Sequence, residues 1–235
     1  NTGDFKFDLT TVNDDPPDFE HIASFGGKGV LALLSDSTNA DSPGHQISEQ
    51  VVGEEMRRIF AAAPGRIIVG TFSSLLTRIQ QILTISEELG KKVLIQGRSM
   101  QANIEIAHEL GYLRYKPGVF IEDRDLRKMP PDRVVVVCTG AQGEKNAVLM
   151  RIANDDHRFI QIEPGDTVIF SSSVIPGNER TVERLKDSLV RKGAKIIHYQ
   201  MMDVHAGGHA KQEDLKQMIE LTKPRYFIPI HSSRF

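Results

Sequence analysis

The chain has 235 residues, of which 40% are hydrophobic and 26% are charged. This composition is typical of a folded globular protein and argues against a disordered one. The formal net charge of −2 excludes a uniformly basic coat for nucleic acid but allows a local basic groove.

The sequence also limits the redox setting and the mode of ligand binding. Aromatic residues make up 6% and tryptophan is absent, which argues against a broad base-stacking surface. A single cysteine, Cys138, rules out an internal disulfide and fits a cytoplasmic protein. The longest apolar runs, such as 134–138, are too short to span a membrane. The chain opens on a turn-like sequence without an initiator Met, so we expect a piece of a longer protein.

Hydrophobic patterning predicts alternating strands and helices in chain order. A loop is expected at 10–18. Short apolar runs predict strands at 29–34, 66–71, 93–96, 134–139, 167–171, 195–199 and 226–230. Helical spacing with Gly or Pro stops predicts helices at 47–63, 75–89, 100–110, 143–154, 178–192 and 212–222. Repeated units of this kind predict an α/β fold with a parallel sheet covered by helices on both faces.

Polar clusters follow several predicted strands, at 71–74, 97–99, 139–143 and 171–173. Ligands of parallel sheets bind beyond the carboxyl ends of the strands, where these clusters should meet. Arg98, Ser99 and the serines Ser171, Ser172 and Ser173 are therefore candidate phosphate ligands, together with the turn at 176–178. Ordinary turn chemistry is the alternative, but three clusters on one edge favour an extended polyanion over a single phosphate.

Five further positions offer side chains that could act in catalysis or bind a metal. His205 and His209 lie four apart with two glycines between them, and they are either ligands or solvated side chains of a tight turn. Asp36 ends a strand and either orients a histidine or caps a turn. Asp4 lies in a turn-like segment, and His231 directly follows the last strand.

The order of six motifs resembles the ribonuclease J family of metallo-β-lactamase/β-CASP nucleases. They are TGDFKFD (2–8), the DST setting of Asp36, GRSM (97–100), GAQGE (140–144), SSSVIPGNE (171–179) and HAGGH (205–209), closed by PIH (229–231). The resemblance implies a β-CASP domain, a parallel α/β sheet, inserted into a metallo-β-lactamase domain of the αββα type. It places metallo-β-lactamase segments at 1–36 and 201–235 and the β-CASP domain at 37–200.

The resemblance also implies roles for single residues. Asp4 would bridge two zinc ions and His231 would bind one of them. His209 would be the general acid, held by Asp36, and His205 would bind phosphate. The intact protein would then be a cytoplasmic, zinc-dependent 5'-3' exo- and endoribonuclease that binds single-stranded RNA, forms homo-oligomers and does not bind membranes. We further predict that Asp36 and His209 form a pair, because strands 29–34 and 195–199 would belong to one sheet.

This sequence departs from the family pattern in several places. The metal-binding His-x-His-x-Asp-His run is absent, so we expect this fragment to be inactive alone and to bind no zinc. Asn1 stands where the family has His, Gly207 replaces a serine, and Leu75 and Leu76 replace more polar residues. Ser232 and Ser233 stand where the family has Gly-Glu. Two alternatives stay open: a non-catalytic α/β module that binds RNA or phosphate, and a β-CASP nuclease of another branch acting on DNA or in RNA 3'-processing.

Overall fold

A computed structural model describes residues 1–12 and 15–232 of the chain. The chain forms two compact units. We call the unit formed by residues 1–50 and those from 206 onward the terminal unit, and Val51–His205 the central unit. The units change after Gln50 and after His205, whereas the predicted domain boundaries fall after 36 and 200; that division stays a prediction. Two residues of the predicted loop 10–18, Asn13 and Asp14, lie outside the described residues. Ser233, near the end of the chain, also lies outside them.

The central unit is built on a parallel sheet, as predicted, and this sheet has five strands. Its strand order is β3-β4-β2-β5-β6. The strands are β2 (Ile67–Gly70), β3 (Lys92–Gln96), β4 (Val134–Cys138), β5 (Thr167–Phe170) and β6 (Lys195–His198). All residues of β2, β4 and β5 are buried, which is the expected pattern for strands covered on both faces.

Helices cover this sheet, and their apolar faces form its core. They are α2 (Glu49–Ala62), α3 (Leu76–Glu88), α4 (Arg98–Glu109), α5 (Val148–Ala153) and α6 (Glu179–Arg191), with 3₁₀ turns at Asp123–Lys128 and Pro131–Arg133. Leu149 and Ile152 of α5 and Leu185 of α6 pack into one cluster with Val136 and Val168. The predicted helix 143–154 begins only at Val148, because the preceding N–H groups bond within tight turns, from Gly143 to the Gly140 carbonyl and from Ala147 to the Glu144 carbonyl.

The strand register brings the polar clusters to one edge of the sheet, as expected. Gly70, the last residue of β2, lies opposite both Cys138 of β4 and Phe170 of β5. Gln96, the last residue of β3, also lies opposite Cys138. The residues that follow these four strands therefore share the carboxyl edge of the central sheet.

The terminal unit contains a parallel pair of strands with two helices. The elements are α1 (Phe19–Lys28), β1 (Ala32–Asp36), α7 (Gln212–Thr222) and β7 (Tyr226–Ile230). β1 pairs with β7, and Asp36 lies opposite Ile230. Helices α1 and α7 approach closely at Gly26, where a Cβ atom would lie 2.4 Å from the carbonyl oxygen of Leu221. Only glycine allows this contact, so Gly26 is required by packing.

The sequence predictions were wrong at three points of the terminal unit. Helix α1 was not predicted, because Gly26 and Gly27 break its helical pattern. Strand β1 spans Ala32–Asp36 instead of 29–34. The two strands expected to share one sheet belong to different sheets, since β1 pairs with β7 while β6 lies at the edge of the central sheet. Among the described residues, no helix is long and apolar enough to cross a membrane.

Candidate functional site

Four segments bring Asp4, Asp36, His209 and His231 to one end of the β1–β7 pair. The N-terminal segment is fixed beside β1, because the Thr2 N–H donates to the Leu34 carbonyl at 3.0 Å. The Asp36 N–H in turn donates to the Thr2 hydroxyl oxygen at 3.1 Å. These bonds place Asp4 beside Asp36, and one ligand atom from each of Asp4, Asp36 and His209 lies within 4.8 Å of the others.

Asp36 and His209 form the pair that the sequence predicted. Nδ1 of His209 lies 2.8 Å from Oδ2 of Asp36, although 173 positions separate the two residues. The Asp36 side chain is 1% exposed and that of His209 is 34% exposed. A carboxylate only accepts hydrogen bonds, so His209 carries a proton on Nδ1 and donates it to Asp36. The pairing is confirmed, although the shared sheet from which it was expected does not exist.

The carboxylate of Asp36 is stabilised in its ionised form. Burial alone would raise the pKa of Asp36, but hydrogen bonds from the Thr38 hydroxyl, His209 and the Thr38 N–H together hold this pKa below its usual value. The Thr38 hydroxyl donates to Oδ1 at 2.6 Å and the Thr38 N–H at 3.1 Å. Both oxygens of Asp36 are thus engaged, which favours holding His209 over binding a metal.

The loop around His209 is held by side chains that the sequence did not single out. The backbone carbonyl oxygen of His209 accepts hydrogen bonds from Gln46 Nε2 at 3.0 Å and from Asn39 Nδ2 at 3.3 Å. A Cβ atom on Gly207 would lie 2.7 Å from Gln46 Nε2, so a serine at this position would displace the Gln46 amide. Gln46 could have been suspected only as a polar residue in a Pro-Gly loop.

Asp4 and His231 form the exposed side of the cluster. Nδ1 of His231 lies 3.5 Å from Oδ1 of Asp4, and the two side chains are 62% and 59% exposed. His231 has a left-handed backbone conformation with φ of 61° directly after β7. Two ligand atoms on a tetrahedral zinc ion at about 2.0–2.2 Å would lie about 3.4 Å apart, so this spacing fits two ligands of one ion.

A second His–Asp pair in the terminal unit serves a structural purpose. Nδ1 of His45 lies 2.7 Å from Oδ1 of Asp214, a fully buried carboxylate. Oδ2 of Asp214 accepts from the backbone N–H groups of Gln46 and Lys211, which caps the start of α7. This pair has the same chemistry as Asp36–His209 but holds a helix end.

Two of the predicted RNA ligands in the central unit are buried. Ser171 is fully buried, and its hydroxyl donates to the Val204 carbonyl at 2.7 Å. Arg78 donates to the same carbonyl at 2.6 Å and to the Ser171 hydroxyl oxygen at 3.0 Å. These bonds fix the chain directly before His205, which is half-buried. The predicted direct contact of Ser171 with RNA is therefore corrected to a structural bond.

Ser172 requires the same correction. It is 2% exposed, and its hydroxyl oxygen accepts from Gln142 Nε2 at 3.1 Å. The same amide donates to the carbonyl of the half-buried Ser173 at 2.7 Å. Gln142, from the GAQGE turn that follows β4, thus fastens the serine turn after β5 across the end of β2, which lies between these two strands. Of the three serines, only Ser173 retains partial access to solvent.

Arg98 and Ser99 are exposed and line a polar cavity of about 550 Å³ at the carboxyl edge of the central sheet. They begin α4, so its first backbone N–H groups also face this region. Gly97 before them has φ of 112°, and a Cβ there would lie 3.1 Å from the Thr139 hydroxyl. The cavity is thus cationic and rich in hydrogen-bond donors.

The cavity also contains residues that sequence reasoning missed. Arg151, Asn146 and His157 line it beside Arg98. Arg151 lies on α5. A helix was predicted for this segment, but its sequence does not indicate which of its side chains face the carboxyl edge of the sheet. Asn146 follows the GAQGE turn, which could have drawn attention to it as a polar residue near a strand end.

The single cysteine has no chemical role in this arrangement. Cys138 is fully buried at the end of β4, and burial raises the pKa of its thiol to about 12. The thiol is therefore neutral and shielded at physiological pH.

Comparison with known families agrees with the motif order. Residues 64–189 match the family described as "Ribonuclease J, beta-CASP domain". Residues 197–234 match the "Zn-dependent metallo-hydrolase RNA specificity domain". The first match covers more than half of the chain and all of β2, β3, β4 and β5.

Curated relatives are similar over nearly the whole chain. Ribonuclease J 1 of Streptococcus pyogenes serotype M3 is 45% identical over 230 residues, which are 98% of this chain and 41% of that protein. Ribonuclease J of Thermus thermophilus is 43% identical over 98% of this chain and 40% of its own length. Ribonuclease J of Helicobacter pylori strain J99 is 42% identical over 98% and 33%. The chain thus spans between a third and about two fifths of these relatives, and it belongs to the ribonuclease J family.

Proposed function

We propose that this chain is the RNA-binding portion of a zinc-dependent 5'-3' exo- and endoribonuclease, with Asp36 and His209 in its catalytic centre. The observation that carries the proposal is the buried Asp36 carboxylate bonded to Nδ1 of His209 beside Asp4. The family relationship gives this pair a chemical context, because the matched family is described as a metallo-hydrolase. Single-stranded RNA is the proposed substrate and the cytoplasm the proposed compartment.

His209 is suited to protonate a leaving oxygen. With Nδ1–H donated to Asp36, the other ring nitrogen, Nε2, is left to carry a second proton. The adjacent carboxylate stabilises the resulting imidazolium. As a water oxygen bonds to phosphorus and the P–O bond to the leaving group breaks, Nε2 would give its proton to the departing oxygen, and the attacking water would lose one of its own protons to solvent. Proton donation of this kind contributes about 10²–10⁴-fold in rate.

Asp4 and His231 would hold a metal ion in the intact protein. Carboxylate oxygen and imidazole nitrogen are common zinc ligands, and their 3.5 Å spacing fits one ion. When bound, zinc would supply a Lewis acid that polarises the phosphodiester. Two zinc ions need more ligands than these residues offer, so we propose that further ligands come from outside this chain.

RNA would be held at the central unit through Arg98, Ser99, Ser173 and Arg151, with His205 contacting phosphate. Guanidinium groups and helix N-terminal N–H groups bind phosphate oxygens without reading base identity. Affinity should therefore depend strongly on salt and weakly on sequence.

Binding of a fluorescent single-stranded RNA of about ten nucleotides to this chain tests the RNA site. Arg98→Gln and Arg151→Gln should weaken binding and reduce the salt slope by about 0.7 each, the value for one phosphate contact in a single strand. Arg58→Gln is the matched control, because Arg58 is exposed on α2 and paired with Glu55. If Arg98→Gln binds RNA as tightly as the control, or affinity is independent of salt, the proposed site is wrong.

A non-catalytic phosphate-binding module is the second candidate function. It is favoured by the fact that the Arg98 cavity is formed entirely by the central unit. Cleavage of RNA by the complete protein separates the two candidates. A DNA-acting nuclease would instead show equal or tighter binding of single-stranded DNA.

A further inference from the structure

A second polar cavity lies at the opposite, amino edge of the central sheet. Its volume is about 390 Å³. Arg66, directly before β2, and Val134, the first residue of β4, form its floor. Its walls come from the 3₁₀ turn that ends at Lys128 and from the segment that leads into β5. None of these residues was singled out by the sequence.

Arg66 contributes a buried guanidinium that is only partly satisfied. The residue is 6% exposed, and NH2 donates to Asp166 Oδ2 at 2.6 Å and to the Gln161 carbonyl at 2.5 Å. Its Nε is buried and has no hydrogen-bond acceptor within the part of the chain that the structure describes. An unpaired buried donor costs about 1–3 kcal/mol, more for a charged group, so the protein partners of Arg66 leave its guanidinium incompletely hydrogen-bonded.

Two further arginines line the same cavity from its exposed side. Arg127 and Arg158 are exposed, and neither forms an ion pair with any described residue. Arg158 lies over the ring of Phe159, with its Cζ 5.0 Å from the ring centroid. Among the described residues that line the cavity, Glu163 supplies the one carboxylate against three guanidinium groups, and Asp166 behind the cavity pairs with Arg66. The cavity therefore carries a positive excess, unlike the chain as a whole.

We propose that this cavity, which we call the tri-arginine site, binds the phosphate group of a nucleotide. Guanidinium groups bind phosphate oxygens through paired N–H donors, and those of the exposed Arg127 and of Arg158, which lies over the Phe159 ring, are available to bind one. Phe159, Leu126 and Met129 add an apolar wall that can cover a sugar or base. The volume lies within the range of small-ligand pockets, about 300–1,000 Å³.

The tri-arginine site is distinct from the proposed RNA site. Its residues precede the strands β2, β4 and β5, whereas Arg98 follows β3 at the other edge of the same sheet. The two cavities share no lining residue. Nucleotide binding at the tri-arginine site therefore does not depend on RNA binding at Arg98.

Calorimetric titration of this chain tests the proposal with three probes: inorganic phosphate, adenosine monophosphate and a ten-nucleotide single-stranded RNA. The variants are Arg127→Gln and Arg158→Gln, singly and combined. Both side chains are exposed, so circular dichroism and the melting temperature should match wild type. Arg124→Gln is the matched control, since Arg124 is exposed and paired with Glu122. All variants are also measured in the Arg98→Gln background, which removes phosphate binding at the proposed RNA site.

The double variant should bind adenosine monophosphate at least about tenfold more weakly, the effect of losing one charge-assisted hydrogen bond. Arg124→Gln should bind it like wild type. If the double variant also weakens RNA binding, the nucleotide is one carried by RNA; if RNA binding is unchanged, the ligand is a free nucleotide. Unchanged nucleotide binding by the double variant in the Arg98→Gln background, or no nucleotide binding by Arg98→Gln alone, overturns the proposal.

Discussion

His157 provides a sharp test of how the central unit depends on pH. The residue is 7% exposed, and its Nδ1 accepts from the backbone N–H of Ile160 at 3.2 Å and of Phe159 at 3.4 Å. Nε2 donates to Gln96 Oε1 at 3.2 Å. The imidazole is thus neutral with its proton on Nε2. Protonation would place an N–H at Nδ1, directly facing two backbone donors.

The direction of the pH effect follows from the pKa of His157. Burial lowers this pKa, the positive charge of Arg151 lowers it further, and Asp123 partly opposes the shift. The unfolded chain therefore binds more protons than the folded chain at mildly acidic pH. The contribution of His157 to stability is complete above its unfolded pKa, about 6.5, and is lost as pH falls toward the folded pKa.

Two substitutions separate the hydrogen bonds from the titration. In His157→Asn, the amide Oδ1 can replace Nδ1 as the acceptor for Ile160, and the side chain does not titrate. We expect a loss of about 1 kcal/mol from the missing bond to Gln96. His157→Ala leaves two backbone N–H groups without their acceptor, and a loss of about 2–4 kcal/mol is expected.

Urea unfolding at pH 7.5 and pH 5.5 measures both effects. Wild type should lose more stability than His157→Asn on going to the lower pH, because only wild type carries the titrating imidazole. An equal pH dependence in the two proteins would refute the assignment of the neutral tautomer. A smaller loss for His157→Ala than for His157→Asn would show that the two N–H bonds do not stabilise the fold.

Three further substitutions test single contacts. Asp36→Asn should keep its amide oxygen on the two Thr38 donors and present its NH2 group to Nδ1 of His209, which shifts the ring proton to Nε2 and is detected by ¹⁵N NMR of the ring; an unchanged tautomer would contradict this arrangement. Ser171→Ala should lower the free energy of unfolding by about 1–2 kcal/mol, because the hydroxyl bonds the Val204 carbonyl; a change within about 0.3 kcal/mol in chemical denaturation would contradict it. Gly97→Ala should destabilise by at least about 1 kcal/mol and weaken RNA binding, because φ is 112° and the new methyl meets a threonine hydroxyl; unchanged melting temperature and RNA affinity would show that the turn is not strained.

The architecture of the central unit was accessible from the sequence because its signals are local. The all-apolar run at 134–138 and the Gly stops after the helices are each contained in a few residues. Parallel strands then place their polar ends together by geometry alone. Helix α1 was missed for the opposite reason, since Gly26 is explained only by its contact with Leu221 in a distant helix.

In the candidate site too, features carried by a short motif could be predicted, whereas contacts between residues far apart in the chain could not. Asp36 and His209 were paired through motif order, although the sheet expected to join them is two separate sheets. Ser171 looked like a phosphate ligand because a serine after a strand gives no sign of a distant partner such as Val204. The arginines around Phe159 likewise become a cluster only after folding.

Two His–Asp pairs of equal chemistry permit a controlled test in the complete protein encoded by the gene. Cleavage of a 5'-labelled RNA should be compared for wild type, His209→Ala, Asp36→Asn and the control His45→Ala, whose partner Asp214 caps α7. If His209 is the general acid held by Asp36, His209→Ala should reduce kcat by about 10²-fold or more while RNA affinity is retained, and Asp36→Asn should follow it. His45→Ala should cleave at close to the wild-type rate. Wild-type cleavage by His209→Ala, or an equal loss in His45→Ala, would contradict the assignment.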